Sequence, residues 1–97
     1  MANQEHVEKL RKGARAWNVW RGKQADVPAL SEANLSEVDL SGADLRGAKL
    51  PRASLGVADL DRANLSGANL SGAELSKEQL VAARTNVYTT PPKEFRR

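Results

Sequence analysis

The chain has 97 residues, a net charge of +3 and no cysteine, which rules out disulfides and thiolate metal centres. That length suits one domain, expected to span 1–97. No stretch approaches the roughly 20 apolar residues of a membrane helix, and the N-terminus lacks an apolar signal region, so a cytoplasmic location is expected. Charge is unevenly placed. Residues 1–27 carry six basic and three acidic groups, residues 28–82 five and eight, and residues 83–97 four and one, so basic ends flank a mildly acidic centre.

The first expected element is a helix over 3–21. Val7, Leu10, Ala14, Trp17 and Trp20 recur at helical spacing on one face, while Glu8, Arg11, Lys12 and Arg15 fall largely elsewhere. Gly22 is placed to end the helix and Pro28 prevents it resuming. The two tryptophans carry most of the aromatic surface. The reading adopted is that they close the open end of whatever follows; a stacking platform for a base or peptide is the alternative. His6, the only histidine, is expected to be solvated.

From residue 28 to 82 the sequence repeats every five residues. Leu30, Leu35, Leu40, Leu45, Leu50, Leu55, Leu60, Leu65, Leu70, Leu75 and Leu80 occur without a gap, almost always two places after a small residue. A five-residue step rotates a side chain by 140° on a straight helix, and it alternates faces on a straight strand. Neither buries all the leucines. The chain must bend once per pentad in a constant sense, and the spaced Gly, Ser, Asn and Asp make such bends cheap.

The pentads ADLRG (43–47), ANLSG (63–67) and ANLSG (68–72) closely resemble the consensus of pentapeptide-repeat proteins. WNVWR (17–21) after a helix also looks like the N-terminal segment of some of them. The resemblance implies a mainly β fold, a right-handed four-sided β-helix with four pentads per coil and an N-terminal cap helix. Eleven pentads then make 11/4 = 2.75 coils, roughly 13 Å tall at strand spacing. Residues twenty apart stack. The leucines form the core, and the small residues Ala33, Val38, Ala43, Ala48, Ala53, Ala58, Ala63, Ala68 and Ala73 point inward beside them.

At the far end Ser76 and Gln79 form a capping box for a short helix over 77–84. Glu78 replaces the inward small residue and cannot enter the core unpaired, so the winding is expected to give way here. In the tail, 85–97, Pro91 and Pro92 forbid helix, and Tyr88 and Phe95 are candidates to fold back onto a face.

Candidate sites are few. Asp39 and Asp59 share a column, with Asp44 and Asp61 nearby. This is a possible acidic interaction strip, imitating DNA phosphates or holding a divalent cation between two carboxylates, whose plainer and preferred reading is turn-forming carboxylates bonded to local backbone. Glu32 and Arg52 stack as an expected cross-coil ion pair. AKLPR and ASLGV (48–57) depart most from the repeat, with Pro51 removing a donor and Val57 pointing outward. No acid, base and nucleophile converge, so no catalytic residue, cofactor or metal is expected. The expected function is a protein-binding or scaffold module with a protein partner. The resemblance implies an alternative, a DNA mimic acting on a type II topoisomerase such as DNA gyrase, which the short coils and net +3 oppose. Direct nucleic-acid or acidic-membrane binding through Arg11, Lys12, Arg15, Arg21, Lys23, Lys93, Arg96 and Arg97 is the third and less favoured reading.

Overall fold

A computed structural model describes residues 2–23 and 27–95. The N-terminal segment forms two helices, α1 (Gln4–Arg11) and α2 (Ala14–Arg21). Asn3 caps α1, its side-chain oxygen accepting from the N–H groups of Glu5 and His6 at 2.9 and 3.3 Å. The single helix expected over 3–21 is corrected by Gly13, whose φ of 106° no helix accommodates. Its N–H still bonds to the Leu10 carbonyl at 2.9 Å, and its own carbonyl accepts from Trp17 N–H at 3.1 Å, so α2 starts again in a new direction.

The pentads are built from one turn, repeated. The N–H of each small residue bonds to the carbonyl of the leucine three before it, as in Ala33 to Leu30 at 3.1 Å and Ala63 to Leu60 at 2.9 Å. The second residue after each leucine from Leu30 to Leu70 has a positive φ. Five of these nine are not glycine: Glu32, Glu37, Arg52, Val57 and Arg62; the others are Gly42, Gly47, Gly67 and Gly72. A positive φ at the third turn position is the mark of a type II turn. The chain thus bends once per pentad, and parallel bridges link positions twenty apart, from Ala29↔Lys49 to Ser54↔Glu74. Between coils, Leu30 N–H donates to the Lys49 carbonyl at 2.8 Å and Lys49 N–H to the Pro28 carbonyl at 2.9 Å. The same pair of bonds recurs around the coil.

The expectation of a mainly β fold, a right-handed four-sided β-helix, is corrected here. Among the described residues only 13% lie in strands or bridges, no sheet forms, and three helices supply the longest regular elements. The reason lies in the length of the repeat. The turn occupies the leucine, two corner residues and the next small residue. One residue per pentad is left to pair with both neighbouring coils, and a strand needs consecutive pairs.

Leu30, Leu35, Leu40, Leu45, Leu50, Leu55, Leu60, Leu65 and Leu70 are buried, together with Pro28 and the nine small residues from Ala33 to Ala73. Leu75 and Leu80 are only partly buried. Leu80 lies on α3 (Lys77–Ala82), where the capping box of Ser76 and Gln79 forms as the sequence indicates and Glu78 faces solvent. α3 is shorter than 77–84 because Ala83 turns extended, with ψ 162°. The winding then resumes rather than ending. Arg84 bridges Asn64 and Thr90 bridges Asn69, so the tail lays a partial coil over the last full one before a 3-10 turn at Lys93–Phe95. Tyr88 stays exposed and Phe95 is half-buried. The molecule is a short rod of 36 × 22 × 22 Å.

Candidate functional site

A wound chain has two open edges, each a ring of backbone groups with no further coil to pair with. At the first edge α1 and α2 supply the partners. Asn3 N–H donates to the Ala29 carbonyl at 2.8 Å, and Ala29 N–H donates to His6 Nδ1 at 3.0 Å. The Asn18 amide accepts from Asp44 N–H at 2.7 Å and donates to the Gly42 carbonyl at 3.0 Å. Trp17 Nε1 donates to the Asp44 carbonyl at 2.7 Å. Arg11 donates to the Asn34 carbonyl, and Arg21 to the carbonyls of Asp44 at 3.4 Å and Arg46 at 2.7 Å. A side-chain amide offers the same N–H and C=O pair as the peptide it replaces, which is why Asn18 fits.

Val7, Leu10 and Trp17 are buried beneath this layer, and Ala14 and Trp20 pack partly buried against the core. The solvated His6 expected from sequence is a further correction. His6 is 4% exposed, with its ring 5.0 Å from Trp20 in an edge-on arrangement. Its Nδ1 accepts a proton-bearing group, so Nε2 carries the hydrogen of the neutral ring. Burial also pushes the Arg21 guanidinium below its ordinary range, against the opposing pull of Asp44.

The other edge is met by α3 and the tail. Gln79 Nε2 donates to the carbonyls of Leu55 at 2.6 Å and Ala58 at 2.9 Å, while its Oε1 accepts from Ser76 N–H at 2.7 Å. Thr89 Oγ1 donates to the Leu65 carbonyl at 2.8 Å, and Asn86 Oδ1 accepts from Gly67 N–H at 3.0 Å.

The four aspartates lie on the sides between these ends. Asp39 and Asp59 are bridged neighbours. Each uses a carboxylate oxygen to accept from the N–H two residues on, as Asp44 also does: Ser41 at 3.0 Å, Asp61 at 3.0 Å and Arg46 at 3.2 Å. Asn34, Asn64 and Asn69 make the same local bond. These side chains therefore shape the turns. The Ser41 hydroxyl, 2.6 Å away, and then its N–H hold the Asp39 carboxyl below the usual range. Arg46 grips Asp44 with two bonds of 2.8 Å, lowering the Asp44 pKa and raising its own. Asp61 lies 4.0 Å from Arg62, and the expected Glu32–Arg52 pair forms at 3.2 Å. Among the described residues no group of three His, Cys, Asp or Glu is placed to hold a metal ion.

A shallow groove opens on the side that carries Ser54 and Glu74, walled by Gly56 and Val57 and by the start of α3, with Leu75 and Gln79 in its lining.

A family profile described as pentapeptide repeats, in 8 copies, matches residues 29–67 and 39–76. The chain belongs to the pentapeptide-repeat family. No curated protein and no solved structure matches this pentapeptide-repeat chain. No helix among its described residues is long and apolar enough to cross a membrane. Sequence reasoning missed the work of His6, Arg11, Asn18 and Arg21. Each is a lone polar residue on an amphipathic helix, and only the fold shows that a backbone edge lies opposite. Arg96 and Arg97, considered as phosphate contacts, lie outside the described residues, as does the acidic Asp26.

Proposed function

We propose that this pentapeptide-repeat protein is a non-catalytic interaction module that binds a partner protein through the sides of its rod. The observation that carries this reading is that both backbone edges are occupied by groups of the chain itself. The sides are what remains for recognition. They present exposed side chains at fixed spacing on a close-packed leucine core. The lone histidine is engaged with Ala29, which removes it as a base for the surface serines. Affinity capture on the full chain from an extract of its own host, read by mass spectrometry, should return one dominant protein partner. Captures that stay empty, or that return only nucleic acid, overturn the reading.

The DNA-mimic alternative receives less support. Asp44 is matched by Arg46, Asp61 lies beside Arg62, and the two bridged aspartates are turned to local backbone. A gyrase supercoiling assay is expected to run unchanged at micromolar protein. Two of the basic residues considered for phosphate contact, Arg11 and Arg21, are already donating to carbonyls of the first coil.

A further inference from the structure

The corner at 56–57 inverts the local chemistry of its neighbours. In the turns that use glycine, the glycine takes the left-handed position and the residue before it is Ser41, Arg46, Ser66 or Ser71. At this corner the order is Gly56 then Val57. Val57 sits at φ 50°, a conformation that is a genuine outlier for a β-branched residue, and it is 77% exposed. Gly56 does not need to be glycine. Its φ is not in the left-handed range, and an added Cβ would meet nothing nearer than Ser36 Oγ at 3.8 Å, an ordinary contact. The turn demands the positive φ, but here a β-branched residue meets that demand with a glycine one place away, so strain and apolar exposure fall at one point without a packing reason for valine. Strain of this kind, held in place by the surrounding coil, is characteristic of functional surfaces.

The inversion has a shape. Gly56 contributes no side chain to the groove and Val57 raises an aliphatic rim. Leu75, left half-covered where the regular coil ends, supplies a second apolar surface. Among the described residues of the lining Glu74 alone is ionisable, and its carboxylate is steadied by the Ser54 hydroxyl at 3.2 Å. Gln79 has its amide committed to Leu55, Ala58 and Ser76, so it forms a fixed wall.

We propose that this groove is the docking site of the interaction module, and that its occupant is an extended segment of a partner protein. That segment carries an aliphatic side chain, for Val57 and Leu75, next to an arginine or lysine that pairs with Glu74. The proposal rests on the binding-module reading and narrows it to one side of the rod.

Restoring the usual order tests it. A G56S/V57G double variant removes the strain and the rim together and is expected to melt a few degrees higher, roughly 2–6 °C. A displayed heptapeptide library panned on the natural chain should enrich an aliphatic residue beside Arg or Lys. Enriched peptides should bind at least tenfold more weakly to the double variant and to Glu74→Gln, and should shift the amide resonances of Gly56, Val57 and Leu75. Peptides that bind natural and variant chains alike, or that shift amides on another side, overturn the groove and leave the module standing. A panning without enrichment also overturns the groove. If the extract capture still yields a partner, only this site has failed.

Discussion

Five side chains are held at positive φ where glycine would serve, and each costs stability. Arg62, at φ 60° and joined to Asp61 only at 4.0 Å, is the cleanest probe. The left-handed conformation costs an L-residue about 1–2 kcal/mol, while glycine's added unfolded-state entropy costs about 0.5–1. Arg62→Gly is therefore expected to raise the melting temperature by a few degrees in calorimetry. His6 is the opposite case. His6→Phe keeps an aromatic ring against Trp20 but leaves the half-buried Ala29 N–H without its acceptor, so urea unfolding should show a loss of about 1 kcal/mol. Asp44 sets an acid dependence. Its pKa is lowered in the folded chain, chiefly by hydrogen bonds from Arg46. Its contribution is complete above the unfolded carboxylate pKa and disappears as pH falls through the lower folded value. In Asp44→Asn the fall in stability below the ordinary carboxylate range should be shallower, as measured by urea midpoints across acid pH.

Among the elements, α3 shows two roles meeting in one residue. Gln79 accepts from Ser76 N–H and donates to two carbonyls of the coil beneath. Gln79→Glu retains the first role and reverses the second, setting a carboxylate against carbonyl oxygens. Ser76→Ala removes only the cap to Gln79 N–H, which costs about 1 kcal/mol. The glutamate variant should be the more destabilised of the two, and amide exchange should quicken first in α3 and around Leu60. The helices also show how far sequence reaches. Ser76 and Gln79 announce α3 through their spacing, because a capping box is a contact between residues three apart. Gly13 was equally visible, yet an internal glycine is tolerated in many helices. Only its role as a corner, letting α1 and α2 both lie on the first coil, makes it a break. The tail was unreadable for a related reason. Arg84 and Thr90 complete bridges to residues about twenty earlier, but no leucine marks them.

For the whole molecule, the five-residue period made the buried leucines and the twenty-residue stacking legible from the sequence, since both follow from one bend per pentad. The inferred class, mainly β, did not follow, because a single paired residue between turns cannot extend into a strand. The groove was legible only in part. ASLGV stood out as irregular, but the strain at Val57 needs the φ angle and the opening over Gly56 needs the neighbouring coil. The end layers matter at this scale as well. Leu10→Asp places a charge under α1, and the expected result is loosening of the N-terminal cap with concentration-dependent self-association in light scattering, as the backbone groups of Ala29, Asn34 and Asp44 lose their partners.

Among the described residues, each terminal layer directs its hydrogen bonds to the coil next to it. The first bonds to positions between Ala29 and Arg46, the second to positions between Leu55 and Leu70. Length is therefore quantised rather than fixed. Duplicating residues 48–67 would slide a full circuit into the middle and return every end contact to its own address. Adding a single pentad would carry the closing helix a quarter of the way round, onto a side whose carbonyls Gln79 was not placed to meet.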